Sequence, residues 1–338
     1  MTVTSDRGVF RASAPARLDF AGGWTDVAPF ATEEGGVVVN AAIELRTHAE
    51  VRPGGDRELI HSEELGKQTE LREGGWTPEL AGELELQKAA LRRSQLGPCV
   101  LHTRSEVPPG SGLGSSGALG VALVAAFDAA GELRRPPEEL AEAAFQLEAV
   151  EAALPGGKQD QYAAALGGFH RLRFGPGEVL AEALQLDAGF AANLAEHIVL
   201  CYTGTSRVSS NTISRVMSAY AARVPDVVSA LRSMAQIAER MVEALRSGDL
   251  LKVGRLLSGN WRFQQQLDAG MRTEAMARLE TAMSAAGALG GKAAGAGAGG
   301  SMFFVVKDPE GAVRAAQEAG ARVLPFRWAP EGVRREET

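Results

Sequence analysis

Hydrophobic residues in the first third of the chain occur in short runs that are rich in valine and alanine. These runs are Val9–Ala14, Arg17–Ala21, Val37–Leu45, Thr47–Val51 and Pro98–Thr103. Short apolar runs that are bounded by Pro, Gly or polar residues are typical of β-strands. We therefore predict strands in this part of the chain, with the first two separated at Pro15.

Apolar residues later in the chain recur every three or four positions, which is the spacing of one face of a helix. The segments concerned are Pro137–Leu154, Asp226–Arg246, Leu250–Leu257 and the stretch that contains Met276, Leu279 and Met283. Proline and two glutamates open the first of them, as is typical of the first turn of a helix. The pattern predicts long helices in the middle and second half of the chain.

The last part of the chain alternates between helix and strand. Gly290–Gly300 is rich in glycine and leads directly into an apolar strand, Ser301–Val306. A turn, a helix and a last strand at Arg322–Trp328 follow, and this order predicts a small α+β domain. A chain of 338 residues is long enough for two domains, which we place at 1–188 and 189–338.

The charge and the cysteine content narrow the classes of function. A net charge of −7 argues against a protein that binds nucleic acid. Cys99 and Cys201 lie far apart, and the five histidines lack the spacing of a structural zinc site. No apolar stretch has the length of a membrane span, and the first residues lack the apolar core of a signal peptide. We therefore expect a cytoplasmic protein without nucleic-acid or membrane partners.

One glycine-rich segment carries the strongest functional signal. Pro108–Gly117 contains four glycines and leads into an Ala-rich run, Ala118–Ala130. Glycines let the backbone turn tightly and approach a ligand, and the free N–H groups at the start of a helix bind phosphate. Ser115 and Ser116 stand where the helix should begin, so their hydroxyls can cap it or reach a metal ion. The segment predicts a nucleotide site.

Two other glycine motifs fit the chain less well. A Walker A loop needs Lys and then Ser or Thr after its last glycine, and neither Gly291-Lys292-Ala293 nor Gly114-Ser115 has this order. Gly112, Gly114 and Gly117 match the spacing of a dinucleotide-binding loop. A proline pair interrupts the approach to that loop, however, and no strand follows the helix. A glycine-rich helix entry without a ligand is the remaining alternative.

Three carboxylates in the middle of the chain are candidates for chemistry. Glu148 and Glu151 fall on the apolar side of the helix predicted over Pro137–Leu154, where a carboxylate needs a partner or a metal ion. A salt bridge is a good explanation of Glu151, whereas Glu148 lies deeper and favours a magnesium role. Asp160 follows the flexible pair Gly156-Gly157, so it either caps the next helix or projects into a cleft.

Polar residues near the N-terminus form another candidate site. Arg17 and Asp19 alternate with apolar residues, as they would on a half-buried strand. Gly22-Gly23 predicts a tight bend that brings Thr25 and Asp26 to the surface. The segment is either a polar turn or a loop in which Asp26 accepts hydrogen bonds from a polyol.

Three segments in this order resemble the motifs of the GHMP small-molecule kinases. They are Ala14–Asp26, Pro108–Gly117 and Lys292–Gly300. The resemblance covers nearly the whole chain. It implies an α+β fold with a ribosomal-S5-like N-terminal domain and a ferredoxin-like C-terminal domain.

The chain is similar to one branch of this family in particular, the anomeric sugar kinases such as heptose 7-phosphate kinases. The similar segments are Arg17–Asp26, Gly156–Ala164 and Tyr202–Arg207. Gly23-Trp24 stands where galactokinases have Glu-His, so the chain departs from the galactose-binding pattern. Asp26 still matches the sugar-binding aspartate of the family.

The resemblance also implies roles for single residues, with ATP and Mg²⁺ as cofactors. Asp160 matches the catalytic carboxylate and Arg17 its basic partner, while Glu148 and Ser115 or Ser116 match magnesium ligands. The ATP phosphates would bind Pro109, Gly110, Ser111, Gly112, Leu113, Gly114, Ser115, Ser116 and Gly117. The third motif, with Gly295, Gly297 and Gly299, would support the cleft, and the sugar would contact Trp24, Thr25, Asp26, Gly157 and Arg207.

The expected reaction is ATP-dependent phosphorylation of a sugar hydroxyl, with the anomeric hydroxyl as the first choice. Asp160 either takes the proton of that hydroxyl or acts with Arg17 through charge alone. There are three alternatives. The first is a kinase for another alcohol, such as galactose, fucose, mevalonate or homoserine. The others are a sugar sensor without activity and an NAD-dependent dehydrogenase. The expected partner is a small sugar, with Lys158 and Arg207 as candidate contacts of a sugar phosphate. The oligomeric state stays open, a homodimer being one arrangement.

Overall fold

The computed structural model describes residues 8–72, 75–76, 83–204 and 209–337. Its first strand, β1, runs without a break over Phe10–Ala21. The prediction of two strands separated at Pro15 is therefore wrong. The register of pairing shifts between Pro15 and Ala16, and this irregularity lets the strand pass a residue that has no N–H group to donate. In the same way, β2 covers Gly36–Pro53 and includes both of the strands predicted at Val37–Leu45 and Thr47–Val51.

The first sheet has β1 and β2 at its centre. Its other strands are β3 (Leu59–Ser62), β4 (Lys67–Arg72), β5 (Gly75–Trp76), β6 (Cys99–Ser105), β7 (Phe169–Phe174), β8 (Val179–Ala183) and β13 (Arg334–Glu337). The strands follow the order β13-β1-β2-β6-β3-β4-β5, and a branch from β2 adds β7 and then β8. Strand β3 runs parallel to β6, and the pairs that join β1 to its neighbours are antiparallel.

Helices cover one face of this sheet. They are α2 (Glu85–Ser94), α3 (Ser115–Ala130), α4 (Pro137–Phe145) and α5 (Gln159–Leu166), while the short α1 (Phe30–Glu33) lies in the loop after β1. The helix predicted over Pro137–Leu154 changes form, because a π-helical turn at Gln146–Glu151 follows α4. Alanine and leucine side chains of α3 and α4 form a core against the sheet, and Leu123 and Leu140 are among the largest side chains that are fully buried there.

The second half of the chain contributes a second sheet and more helices. They are α6 (Ala188–Glu196), β9 (Ile198–Tyr202), α7 (Ser209–Ala221), α8 (Pro225–Arg246), α9 (Leu250–Gln264), α10 (Glu274–Ala285), β10 (Gly290–Ala293), β11 (Ser301–Val305), α11 (Pro309–Glu318) and β12 (Arg322–Val323). The strand order is β10-β11-β9-β12. The strand predicted at Arg322–Trp328 is shorter than expected, because β12 ends at Val323 and Trp328 instead forms an isolated bridge with Ile43 of β2 in the first sheet.

The two halves share a hydrophobic core. Leu18 and Phe20 of β1 pack in one cluster with Met241 of α8, Leu257 of α9 and Phe303 of β11. The division into domains at 1–188 and 189–338 stays a prediction, and β13, which follows the second sheet in sequence, pairs with β1 in the first. Within the described ranges, no helix is both long and apolar enough to cross a membrane.

Candidate functional site

A cavity of about 350 Å³ lies where the two halves meet. Arg17, Asp26, Gly114, Glu148, Asp160 and Gly295 are among the residues that line it. These residues come from β1, the loop after it, the glycine loop before α3, the π-helical turn, α5 and the loop after β10. The cavity therefore brings together residues from the three glycine-containing motifs and from the candidate carboxylates Glu148 and Asp160.

The glycine loop reaches the cavity through a series of left-handed turns. Gly110, Gly112 and Gly114 have φ angles of +67°, +73° and +75°, which residues with a Cβ rarely adopt. Helix α3 begins at Ser115, and its N-cap is Gly114, so no side chain caps the first turn. The hydroxyls of Ser115 and Ser116 thus do not serve as the N-cap, and the N–H groups of the first turn are available to an anion.

The third glycine motif packs directly on the second. A Cβ at Gly295 would stand 2.3 Å from the Gly112 carbonyl oxygen, so only glycine allows this approach. Gly297 has a φ of +86°, and a Cβ there would meet the Met271 Sδ at 2.5 Å. Gly299 has a φ of +119°. Of these three glycines only Gly295 lines the cavity, and the motif supports the glycine loop from behind.

Arg17 connects the glycine motifs to α5. Its Nε donates to Asp160 Oδ1 at 2.8 Å, and its Nη1 donates to the Gly112 carbonyl at 2.7 Å and to the Ala294 carbonyl at 2.8 Å. The residue is 4% exposed, and its own N–H donates to the Leu113 carbonyl. One guanidinium group therefore fixes the relative positions of two loops and a carboxylate.

A second ion pair, buried at both partners, involves Asp19, two residues after Arg17 on the same strand. Lys292 of β10 donates through Nζ to both the main-chain oxygen and Oδ2 of Asp19, each at 2.7 Å. Both side chains are buried, and burial lowers the pKa of Lys292 while the Asp19 charge opposes that shift. No pattern in the sequence connects Lys292 with Asp19, because the two residues lie in opposite halves of the chain.

Asp160 occupies the first turn of α5 and points to Arg17. The N-cap of this helix is Lys158, which makes no capping bond through its side chain. Of the two arrangements that the sequence allows for Asp160, the structure therefore has the one directed into the cleft. Gly117 of α3 makes this possible, because a Cβ there would stand 2.6 Å from the Asp160 Cβ.

Glu148 lies on the π-helical turn and faces α5. Burial raises its pKa to about 7, against the effect of hydrogen bonds from Ser116 and Gln161. The Gln161 amide donates to Glu148 Oε2 at 2.6 Å. Glu151 lies on the other side of the turn and accepts from Arg93 Nη1 at 2.7 Å, so the salt-bridge interpretation of Glu151 is confirmed.

The loop after β1 forms the other side of the cavity. Asp26 accepts from the main-chain N–H groups of Trp24 and Gln159, at 3.2 and 3.1 Å. Burial raises its pKa to about 7, and the charges of Asp160 and Asp19 add to that shift. A Cβ at Gly157 would stand 1.9 Å from Asp26 Oδ2, so this glycine makes room for the carboxylate. Trp24 has a φ of +83° and lines the cavity.

Some predicted site residues have other surroundings. The prediction that the bend at Gly22-Gly23 brings Thr25 and Asp26 to the surface is wrong, because both residues are buried. The Thr25 hydroxyl donates to the Gly22 carbonyl at 2.7 Å and so supports the loop from within. Lys158 donates to both carboxylate oxygens of Glu142 at 2.8 Å, away from the cavity lining. Arg207 lies outside the described residues.

A second cavity of about 300 Å³ adjoins the first. Pro109, Gly110, Ser115 and Ser116 line it, and the last three line both cavities. Its walls also include Leu86, Leu119 and Leu154, which give it an apolar character. Ser111 and Leu113, by contrast, are fully buried inside the loop.

Comparison with known proteins agrees with this arrangement. The profile of the GHMP kinases N terminal domain matches residues 84–168, and that of the GHMP kinases C terminal domain matches residues 241–324. D-glycero-alpha-D-manno-heptose 7-phosphate kinase from Campylobacter jejuni is 30% identical, over 96% of this chain and 98% of that protein. The chain belongs to the GHMP kinase family. The α+β fold expected from the three motifs is thereby confirmed.

Two further relatives of this GHMP kinase come from Bacteroides species. The crystal structure of a D-glycero-D-manno-heptose 1-phosphate kinase from Bacteroides thetaiotaomicron is 28% identical, with a TM-score of 0.77 over 97% of this chain and 99% of that one. L-fucokinase/L-fucose-1-P guanylyltransferase from Bacteroides fragilis is 29% identical, over 93% of this chain and 36% of that protein. This GHMP kinase is an ATP-dependent phosphotransferase with an alcohol group as acceptor, as the sequence motifs predict.

Proposed function

We propose that this kinase transfers the γ-phosphoryl group of ATP to the anomeric hydroxyl of a sugar or sugar phosphate. The observation that carries the proposal is the contact between Arg17 Nε and Asp160 Oδ1, 2.8 Å long, within the cavity that the glycine loop lines. This contact joins a proton acceptor to a fixed positive charge beside a phosphate-binding loop. Heptose and fucose kinases among the relatives support a sugar as the acceptor.

The two adjoining cavities suit the two substrates. The apolar cavity would take the nucleoside, and the N–H groups of the glycine loop would hold the phosphates at the boundary marked by Gly110, Ser115 and Ser116. The larger cavity would take the acceptor beside Asp26 and Trp24. Trp24 Nε1 is buried and has no hydrogen-bond partner in the described part of the molecule, so it could donate a hydrogen bond to the acceptor substrate.

The residues at the boundary also fit Mg²⁺. Glu148 is a half-buried carboxylate with a raised pKa, and a cation beside it would favour its ionised form. Mg²⁺ usually takes one or two carboxylates and completes its shell with water and substrate phosphates. Such a site does not need a cluster of three or more His, Cys, Asp or Glu, and the described residues include no cluster of that kind able to hold a metal. Glu148, with Ser115 or Ser116, would hold the ion, which supplies charge neutralisation to the phosphates.

Positioning and charge account for most of phosphoryl transfer. Asp160 would orient the acceptor hydroxyl and accept its proton, because its Oδ2 is not engaged by Arg17. Arg17 would hold Asp160 in place and offset negative charge near the acceptor. Asp26 and the adjoining backbone would hold the other hydroxyls of the sugar. We also propose that the enzyme works in the cytoplasm; Cys99 and Cys201 are both free thiols.

The test is a panel of acceptors combined with one substitution. D-glycero-D-manno-heptose 7-phosphate, L-fucose, D-galactose and mevalonate would each be assayed for ADP release, and the methyl glycoside of any active sugar should not react. Asp160→Asn should lower turnover by about 10²–10⁴-fold while ATP still binds. Asp249→Asn, at the exposed N-cap of α9, is the control for the same chemical change away from the cavity. Normal turnover in the Asp160 variant would refute the proposed mechanism, and activity only on mevalonate would refute the sugar.

A further inference from the structure

Three consecutive residues of α5 point to three different parts of the site. Gln159 Nε2 donates to Asp26 Oδ1 at 3.4 Å. Asp26 lies in the loop after β1, which we call the acceptor loop. Asp160 accepts from Arg17 at 2.8 Å, and Gln161 Nε2 donates to Glu148 Oε2 at 2.6 Å. Successive residues of a helix are about 100° apart, so Gln159 and Gln161 leave the helix in opposite directions. The first turn of α5 therefore contacts the acceptor loop, the basic partner and the candidate magnesium ligand separately.

Gln161 has a single role in this arrangement. The residue is 2% exposed and lines the cavity. Its Oε1 is buried and has no hydrogen-bond partner among the described residues, so the bond to Glu148 is what orients the amide. A buried polar atom without a partner destabilises the fold, and such groups call for a functional explanation. Gln159 shows the same pattern, with its Oε1 unpartnered and its amide donating to Asp26.

The chemistry of an amide suits the position next to Glu148. Glu148 is on a π-helical turn, a form that is rare and frequent at functional sites. A carboxylate that binds a metal needs a fixed orientation, and a neighbouring donor supplies it. A lysine or arginine in place of Gln161 would neutralise the carboxylate and compete with the cation. An amide orients the carboxylate and leaves its charge for the metal.

We propose that Gln161 is a positioning residue, which holds the Glu148 carboxylate in the orientation that a divalent cation requires, whereas Gln159 does the same for Asp26 on the acceptor side. The proposal rests on the magnesium role of Glu148 in the proposed function. In this proposal Gln161 acts on the cation site, and Gln159, on the same turn of α5, acts on the acceptor site. If the two glutamines only stabilised the fold, their substitutions would not affect cation binding and acceptor binding separately.

The separate roles of the two glutamines can be tested by measuring nucleotide binding, without measuring turnover. The affinity for AMPPNP, a nonhydrolysable ATP analogue, is determined calorimetrically with Mg²⁺ and again with EDTA. Gln161→Leu should weaken binding in Mg²⁺ by about 10–100-fold, the usual effect of removing a group that orients a metal ligand. Binding in EDTA should not change. Gln161→Met, which keeps an unbranched side chain, is the second variant if the leucine variant does not fold.

Gln159→Leu is the matched control on the same helix turn. It should bind Mg²⁺·AMPPNP as the wild type does, and it should raise the KM of the acceptor instead. Equal losses in both variants would overturn the proposal, because they would show a general disturbance of α5. Unchanged binding of Mg²⁺·AMPPNP in both Gln161 variants would overturn it as well. Glu148→Gln tests separately the metal role of Glu148, on which the positioning role of Gln161 rests. If that variant keeps its Mg²⁺ dependence, the proposed metal role of Glu148 is itself wrong.

Discussion

Gly117→Ala is the substitution whose effect the structure defines most sharply. Gly117 lies in the first turn of α3, where alanine normally stabilises a helix by about 0.5–1 kcal/mol relative to glycine. Here the new Cβ would stand 2.6 Å from the Asp160 Cβ and 3.1 Å from both the Asp160 carbonyl carbon and the Gln161 nitrogen. Two of these atoms belong to the backbone of α5, and the Asp160 Cβ is fixed directly to it, so none of the three can rotate away as the end of a side chain would.

The size of the effect follows from the missing space. Carbon atoms in contact are about 3.5–4.0 Å apart, so α5 must move by roughly 1 Å to accept the methyl group. The bond from Arg17 to Asp160 is 2.8 Å long and would stretch beyond hydrogen-bond distance. A misplacement of about 1 Å at a reacting group lowers the rate by roughly 10²-fold. We also expect a loss of about 1–3 kcal/mol in unfolding free energy, as is usual for overpacking.

The assay compares turnover and thermal stability in two alanine variants of the same helix. Gly120→Ala is the control, because its Cβ would lie 3.5 Å from the Ala144 Cβ, which is ordinary contact. That variant should keep its turnover and its stability. A Gly117→Ala protein with wild-type turnover would show that the approach of α3 to α5 does not position Asp160.

Three further predictions concern the other contacts of the cavity. Lys292→Met should destabilise the fold by about 3–5 kcal/mol in urea denaturation, because it leaves Asp19 charged and buried, and the double variant with Asp19→Leu should recover most of that loss. The raised pKa of Asp26 means that its folded form holds a proton that the unfolded form releases at lower pH. Its contribution to stability is therefore complete below about pH 4 and is lost as the pH rises through about 7, so the melting temperature of the ligand-free protein should fall less over this range in Asp26→Asn than in the wild type. Gly157→Ala should raise the acceptor KM by roughly tenfold or more, whereas Gly156→Ala, whose Cβ would meet nothing within 4 Å, should not; equal KM values would contradict the assigned acceptor loop.

The sequence was sufficient to predict those features in which a residue type dictates the backbone conformation locally. The glycine-rich segment Pro108–Gly117 predicts tight turns followed by a helix, and Gly110, Gly112 and Gly114 adopt left-handed φ angles that few other residues allow, before α3 begins at Ser115. The three ordered motifs predict the family and its α+β fold, which are confirmed. The specific roles of Asp160, Arg17 and Glu148 stay predictions, although the cavity brings the three together.

Tertiary contacts account for what the sequence did not predict. Pro15 argued for a break between strands, but β1 pairs with β2 on both sides of Pro15, and an irregularity in the register accommodates the proline. A period of 3.6 residues also cannot distinguish a π-helical turn from the α-helix around it, so the turn at Gln146–Glu151 was missed. The contacts of Gln161 with Glu148 and of Lys292 with Asp19 join distant positions, and no spacing rule connects them.

The strand β13 has a consequence for the order in which the chain can fold during synthesis. It pairs with the start of β1, placing Arg334 opposite Ser13 and Glu337 opposite Phe10. A ribosome makes β1 early and β13 late, so one edge of β1 keeps unpaired N–H and C=O groups while the second half is being made. Open edges of this kind pair readily with other chains. The sheet that carries Arg17 is therefore completed after most of the chain has been synthesised, and a chain shortened before Arg334 would keep that edge exposed permanently.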